Sequence, residues 1–208
     1  MNHSEPPSVD DDNPLPLFLK LRGRRVLVVG GGAMAASKLK ILLSTGASVT
    51  LVSPRIVPEA VVRGVRIRKR CFRESDLEGA WLVITAATPE VNARVAQAAT
   101  RRRIFVNAVD DRAHASAYFG GTIRRGRLTL AISSGGHAPS LVRLLREALE
   151  RLLPENLKQW LDLAESEREG WLRNKLNMRD RTPLLAAAIG RLYEKSSSNC
   201  DTETNSNQ

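Results

Sequence analysis

Cysteine is nearly absent: the chain of 208 residues has two, Cys71 and Cys200. Two thiols cannot build a disulfide framework or a four-ligand zinc site, so a reducing, cytoplasmic setting is expected. No run of about 18 apolar residues occurs, which excludes a spanning helix. The first residues carry Glu5 and Asp10 to Asp12 without a basic-then-apolar order, so they do not read as a signal peptide. Aromatic residues make up 4% of the chain. They are not interleaved with bases, which weakens a single-strand nucleic-acid reading. The three histidines, His3, His114 and His137, join no cluster at metal-ligand spacing, so no metal site is expected.

What is abundant is positive charge. Lys and Arg number 32 against 22 Asp and Glu, a net +10. Residues 1–16 hold four acids and no base, and 196–208 hold two acids and no base, so 17–195 carry +16. A core this basic suits an anionic partner, nucleic acid or a small polyanion, and equally suits a plain solvated surface. The hydrophobic share of 42% is that of a folded protein. Both polar ends read as disordered, 1–16 with four prolines and 196–208 with none.

Between the ends the pattern alternates. Arg25–Gly30, Ser48–Val52, Val65–Phe72, Trp81–Ala86 and Ile104–Val109 read as strands. Ala33–Thr45, closed by Gly46, and Pro89–Arg102 read as helices. Strands separated by helices imply right-handed crossovers and a parallel sheet. After Asp110 the rhythm changes. Ala117–Ile123 and Leu128–Ser133 read as a strand pair, followed by helices at Pro139–Leu153, about Glu155–Leu176 and Thr182–Tyr193, the last with Thr182 as cap and Pro183 at its first position.

Three loops carry chemistry. Gly30-Gly31-Gly32-Ala33-Met34-Ala35 fits G-x-G-x-x-G/A between a buried strand and a helix, the context in which that pattern signals a dinucleotide. Gly30 serves the tight turn, Gly32 lets a pyrophosphate approach helix N–H groups, and Ala35 keeps helix and strand close. The acid expected on the second strand is missing. Ser53-Pro54-Arg55 stands there, and a hydroxyl with a guanidinium suits a ribose or a 2′-phosphate, so spacing alone does not separate NAD from NADP. Asn107-Ala108-Val109-Asp110-Asp111 closes the fifth strand, where one carboxylate is placed to accept a proton or to cap the next turn. Ser133-Ser134-Gly135-Gly136-His137-Ala138-Pro139-Ser140 makes an anion-friendly loop ahead of a helix.

Together, VVGGGAMAASK (28–38), ITAAT (84–88), VNAVD (106–110) and AISSGGHAPSLVRLLREALE (131–150) resemble the precorrin-2 dehydrogenase and ferrochelatase module of sirohaem synthases, over about residues 15–192. The resemblance implies NAD-dependent oxidation of precorrin-2 to sirohydrochlorin and, in some members, insertion of a transient Fe2+ partner to give sirohaem. It implies an α/β fold in which a Rossmann-type parallel-sheet domain (17–112) precedes a small strand-containing dimerisation and substrate region (113–153) and a helical part (154–195). The functional unit would be a homodimer, without nucleic acid or membrane. Asp110 falls on the catalytic aspartate. Gly30, Gly31, Gly32, Ala33, Met34, Ser53, Pro54, Arg55, Ala87 and Thr88 fall to the cofactor, and Asn107, Ser133, Ser134, Gly135 and His137 to the substrate.

Arg101 to Arg103, Arg124, Arg125, Arg143 and Arg146 are candidate partners for substrate carboxylates. Two departures touch the substrate side: Phe119-Gly120-Gly121-Thr122 where relatives often carry proline, and His137 where they often have Thr or Lys. No methyltransferase domain is expected, so a separate enzyme would supply precorrin-2. The reading of another class is a catalytically silent nucleotide-binding sensor or a basic nucleic-acid-binding protein.

Overall fold

The computed structural model describes residues 14–203, with side chains as far as Leu192. The tail expectations for 1–13 and 204–208 lie outside the described residues. The chain divides into two compact units, Met1–Gly120 with Ser133–Pro139, and Gly121–Ile132 with Ser140–Gln208.

The first unit is built on strands β1 (Arg25–Val29), β2 (Ser48–Val52), β3 (Val65–Arg68), β4 (Ala80–Thr85) and β5 (Phe105–Ala108), and helices α1 (Ala33–Ser44) and α2 (Pro89–Arg101). All neighbouring strands are parallel, in the order β3-β2-β1-β4-β5, the half-sheet of the dinucleotide-binding architecture. β1 is buried on both faces because its side chains alternate. Val26 and Val28 pack with Leu39 and Leu42 of α1, while Leu27 and Val29 pack with Val95 and Ala99 of α2. The strand order reverses between β1 and β4, which opens a crevice at their carboxyl ends.

β3 stops at Arg68, four residues short of the expected Phe72. The chain turns there because Arg68 and Arg70 both reach back to Asp76, at 2.5 and 2.6 Å. Asp76 is 2% exposed. Burial pushes its carboxyl up, but the hydrogen bonds from Arg70, the Arg73 N–H and Arg68 outweigh it and hold it at about 2.

The second unit holds the antiparallel pair β6 (Gly121–Arg125) and β7 (Leu128–Ile132), then α3 (Pro139–Leu152), α4 (Leu157–Arg173) and α5 (Met178–Glu203). β6 begins at Gly121 and not at Ala117. The backbone of Ser116 and Ala117 instead donates to Val106 O, at 2.8 and 2.9 Å, which ties that segment to β5. A side chain at Gly121 would meet Val142 of α3 at 2.9 Å, the reason for glycine at this departure.

α5 starts four residues before the expected Thr182, because Asn177 Oδ1 accepts the Asp180 N–H at 3.1 Å and nucleates the turn. Pro183 therefore lies inside the helix and not at its first position, where it forgoes one backbone bond. The helical backbone runs on to Glu203, past the tail expected from Ser196, since no glycine or proline interrupts it there. No described helix is long and apolar enough to cross a membrane.

A depressed carboxyl stabilises the fold above its unfolded value of 3.8 and loses that contribution as pH falls towards about 2. Asp76→Asn is expected to cost about 2 kcal/mol at pH 7. In urea denaturation at stepped pH, the difference between wild type and variant should vanish from pH 4 down to 2.

Candidate active site

The carboxyl ends of β1, β2, β4 and β5 bring most of the expected residues to one edge of the sheet. The β1–α1 turn sits first. Gly30 has φ +114°, and a Cβ there would lie 2.1 Å from Ala86 O. A Cβ on Gly31 would lie 2.2 Å from Arg55 O and 3.0 Å from Ser53 Oγ. Both glycines are required by the protein itself. Gly32 differs, because a Cβ there would meet nothing within 4 Å. It caps α1 without any side-chain hydrogen bond, and α1 has no acid in its first turn. Free space over uncapped helix N–H groups is what a pyrophosphate needs, so the residues fit a dinucleotide.

Ser53 is buried and donates its hydroxyl to Arg55 O at 2.6 Å. It shapes the turn, which leaves Pro54 and the guanidinium of Arg55 exposed at the rim. On the β4 side, the buried Asn92 of α2 accepts the Ala87 N–H at 3.0 Å and the Thr85 hydroxyl. Asn92 thus fixes Ala87 and Thr88 beside the glycine turn. Its place on a helix, five residues past the loop it holds, gave the sequence reading no signal.

After β5 the two adjacent aspartates separate. Asp111 takes the capping role: its carboxylate accepts the His114 N–H at 3.3 Å and pairs with His114 Nδ1 at 2.8 Å. Asp110 has φ +58°, is exposed, and no hydrogen bond or ion pair among the described residues reaches its carboxylate. Aspartate tolerates this left-handed conformation better than most residues, at a cost of roughly 1–2 kcal/mol. Asn107 is buried. Its Nδ2 donates to Ala117 O at 2.9 Å, while its Oδ1 has no hydrogen-bond partner.

The serine–glycine loop belongs to the same compact unit. Ser134 Oγ accepts the Ala138 N–H at 2.9 Å, and Ser133 Oγ accepts the Gly135 N–H at 3.2 Å. Gly135 and Gly136 have φ +60° and +81°. The stem of Arg112 lies where a Gly136 Cβ would be, at 2.9 Å, and its guanidinium contacts the His137 ring nitrogens at 2.6 and 3.1 Å. Arg112 therefore docks the loop on the turn after β5, which accounts for His137.

Several arginines expected to await an anion are already engaged. Arg101 and Arg102 hold Glu74, Arg143 holds Glu147, Arg125 holds Glu150, and Arg146 holds both Glu147 and Glu150. Lys38 of α1, unremarked in the sequence, stands differently. It is half-buried, 4.6 Å over the Phe119 ring, and in no ion pair among the described residues. Burial pulls its ammonium down from its usual range, against an opposing pull from Asp110.

Comparisons with known proteins give the family and the fold. A family model described as "Putative NAD(P)-binding" matches residues 17–121, and one described as "Sirohaem biosynthesis protein central" matches 125–152. Siroheme synthase 2 of Aeromonas salmonicida (strain A449) is 46% identical over 159 residues, 74% of this chain and 33% of the relative. Siroheme synthase of Citrobacter koseri is 43% identical over 150 residues, 70% of this chain and 33% of the relative. The chain thus spans about a third of the length of the curated relatives it matches. Among solved structures, "SirC, precorrin-2 dehydrogenase" superposes with a TM-score of 0.63 at 26% identity, over 84% of this chain and 89% of that one.

The glycines make separable predictions. Gly32→Val should lower stability by only about 1 kcal/mol, the cost of a poor N-cap residue on α1, yet weaken NAD+ binding at least about tenfold in calorimetric titration. Gly30→Val, with backbone in its way, should fail to fold.

Proposed function

Since this chain belongs to the NAD(P)-binding family matched over residues 17–121, we propose that it is an NAD-dependent precorrin-2 dehydrogenase that forms sirohydrochlorin for sirohaem synthesis. The observation that carries the reading is Asp110. An unpartnered carboxylate stands at the carboxyl end of a parallel strand, one strand from the switch point and on the same edge as the glycine turn.

Precorrin-2 is a reduced tetrapyrrole with carboxylates around its rim, and its oxidation removes a hydride and a proton. The bound nicotinamide supplies the hydride acceptor. Gly32 and the first N–H groups of α1 would hold its pyrophosphate, with Ala33, Met34 and the rims at 53–55 and 87–88 as the further cofactor contacts. Asp110 takes the proton, and its exposure gives the carboxylate access to a ring nitrogen or carbon. Asn107, buried and tied through Nδ2 to Ala117 O, holds the end of β5 from which Asp110 is presented. Ser133, Ser134, Gly135 and His137 line the substrate side, with the Ser134 hydroxyl left to donate because its oxygen accepts from Ala138. The exposed thiol of Cys71 and the reduced substrate both suit the cytoplasm.

The working unit is a homodimer. Among its described residues the second unit buries only Ile123, Leu157 and Ala188. No residue of α3 is buried, and Leu141, Leu144, Leu145 and Leu152 expose one apolar face. A leucine face of this size at helical spacing favours a second copy of the chain over water.

Anaerobic assay of wild-type protein with precorrin-2 and NAD+ should give the sirohydrochlorin spectrum, and Fe2+ added to the same cuvette reads the insertion step. Asp110→Asn keeps size and left-handed tolerance but cannot take a proton. Turnover should fall by about 10²–10⁴ with NAD+ affinity retained; turnover equal to wild type would remove Asp110 from the mechanism. Leu141→Glu with Leu144→Glu should convert a dimer to a monomer by light scattering, and a wild-type monomer would rule out the assembly.

A further inference from the structure

An ammonium that is half-buried needs a reason to stay charged. Lys38 sits in the second turn of α1, on the helix that carries the glycine turn at its start. Its Nζ lies 4.6 Å from the centroid of the Phe119 ring. An aromatic face attracts a cation without neutralising it, so the positive charge remains available. Among the described residues no carboxylate is within salt-bridge distance of it.

Its surroundings share a face of the sheet. Val106 and Ala108 point into the cluster beneath α2, so Asn107 between them points to the α1 side. Ala117 and Phe119 pack against the α1-side cluster, and Asn107 Nδ2 is tied to Ala117 O. Lys38 and Asp110 therefore belong to one end of this strand edge, a cation over the Phe119 ring and an exposed carboxylate that pulls on it without an ion pair between them, with Asn107 buried beneath. A ligand that meets Lys38 and Asp110 together carries at least one anionic arm beside a group that can give up a proton. A tetrapyrrole with rim carboxylates has both.

We propose that Lys38 is the anion anchor of the site, receiving a rim carboxylate of the substrate and so fixing where the ring lies against Asp110. This rests on the dehydrogenase reading above. Of the other charges nearby, Asp111 is paired with His114, and Arg112 lies against His137 and keeps its positive charge. Burial, the larger influence on Lys38, disfavours its charge, and Asp110 only partly offsets this. An arriving carboxylate removes the imbalance, so the anchor holds an anion more firmly than an exposed lysine would. A dinucleotide phosphate is the other anion that could reach this helix, and the test separates the two.

The probes are sirohydrochlorin and NAD+, each titrated alone into wild type, Lys38→Met and Lys38→Arg, by absorbance and calorimetry, alongside steady-state kinetics with precorrin-2. Lys38→Met should raise the sirohydrochlorin Kd and the precorrin-2 KM by about tenfold or more. Its kcat should fall as well, because the ring is no longer fixed against Asp110, while its NAD+ Kd should not move. Lys38→Arg, which keeps the charge, should restore most of the binding. An unchanged sirohydrochlorin Kd in Lys38→Met overturns the proposal, and so does a loss confined to NAD+, which would assign the lysine to a phosphate. Should Lys38→Met fail to fold, Lys38→Gln, which keeps a polar stem, decides the same comparison. Wild-type protein that oxidises no precorrin-2 with either dinucleotide removes the underlying reading. Wild-type activity matched by Lys38→Met removes only the anchor.

Discussion

Between β1 and α1 the backbone passes so near its neighbours that no side chain fits. Ala86 O closes on Gly30 from the β4 side, and Arg55 O closes on Gly31 from the β2 side. Backbone hydrogen bonds hold this contact, with Gly30 N donating to Val52 O at 3.0 Å and Val57 N donating to Gly31 O at 2.8 Å. The two loops proposed to flank the cofactor are thus braced against the turn proposed to hold its phosphates. A third glycine in the same run is left open to solvent. Two glycines make the site rigid and the third makes it accessible, and the order of the two roles follows from the reversal of strand order beside β1.

Charge is arranged by the same logic of what is already satisfied. The chain is strongly basic, yet Arg101, Arg102, Arg143 and Arg146 are matched by glutamates one turn away or on a neighbouring element. Such exposed pairs contribute little to stability. Their effect is to withdraw those cations from ligand binding, which leaves the groups without partners to stand out. Asp76 is the contrasting case. It is as charged as any ligand-binding carboxylate, but it is buried under two arginines and a backbone N–H, and its role is to turn the chain after β3. The contrast between Asp76 and Asp110 is one of saturation, since both are aspartates in an arginine-rich chain.

Local pattern explains what could be read from residues alone. β1, α1, β2, β4 and α2 were legible because each carries its own period and punctuation, and Gly46 with φ +73° closes α1 as its glycine suggested. The start of α5 was not, because a side chain of Asn177 caps it and the proline that resembles a first residue sits further in. Asp110 and Asp111 are neighbours of one type, and only the φ of the first and the histidine partner of the second tell them apart. Lys38 and Asn92 act across elements, at separations that carry no sequence period. Lys38 meets Phe119 from another part of the chain, and Asn92 faces back to the loop before its own helix.

The left-handed backbone at Asp110 connects these threads. A strand end that simply ran on would carry residue 110 to the same face as Ala108, on the α2 side and away from Asn107. A positive φ turns the chain abruptly after Val109, whose N–H is fixed to Thr85 O at 2.9 Å, and presents the following carboxylate to solvent. The strain is of the order of 1–2 kcal/mol. It is held in place on both sides, by that β4 hydrogen bond before the turn and by the Asp111–His114 cap after it. A position that required only a turn would be less costly with glycine. An aspartate there, whose carboxylate makes no hydrogen bond or ion pair among the described residues, is better explained by the chemistry of that carboxylate than by the conformation of its backbone.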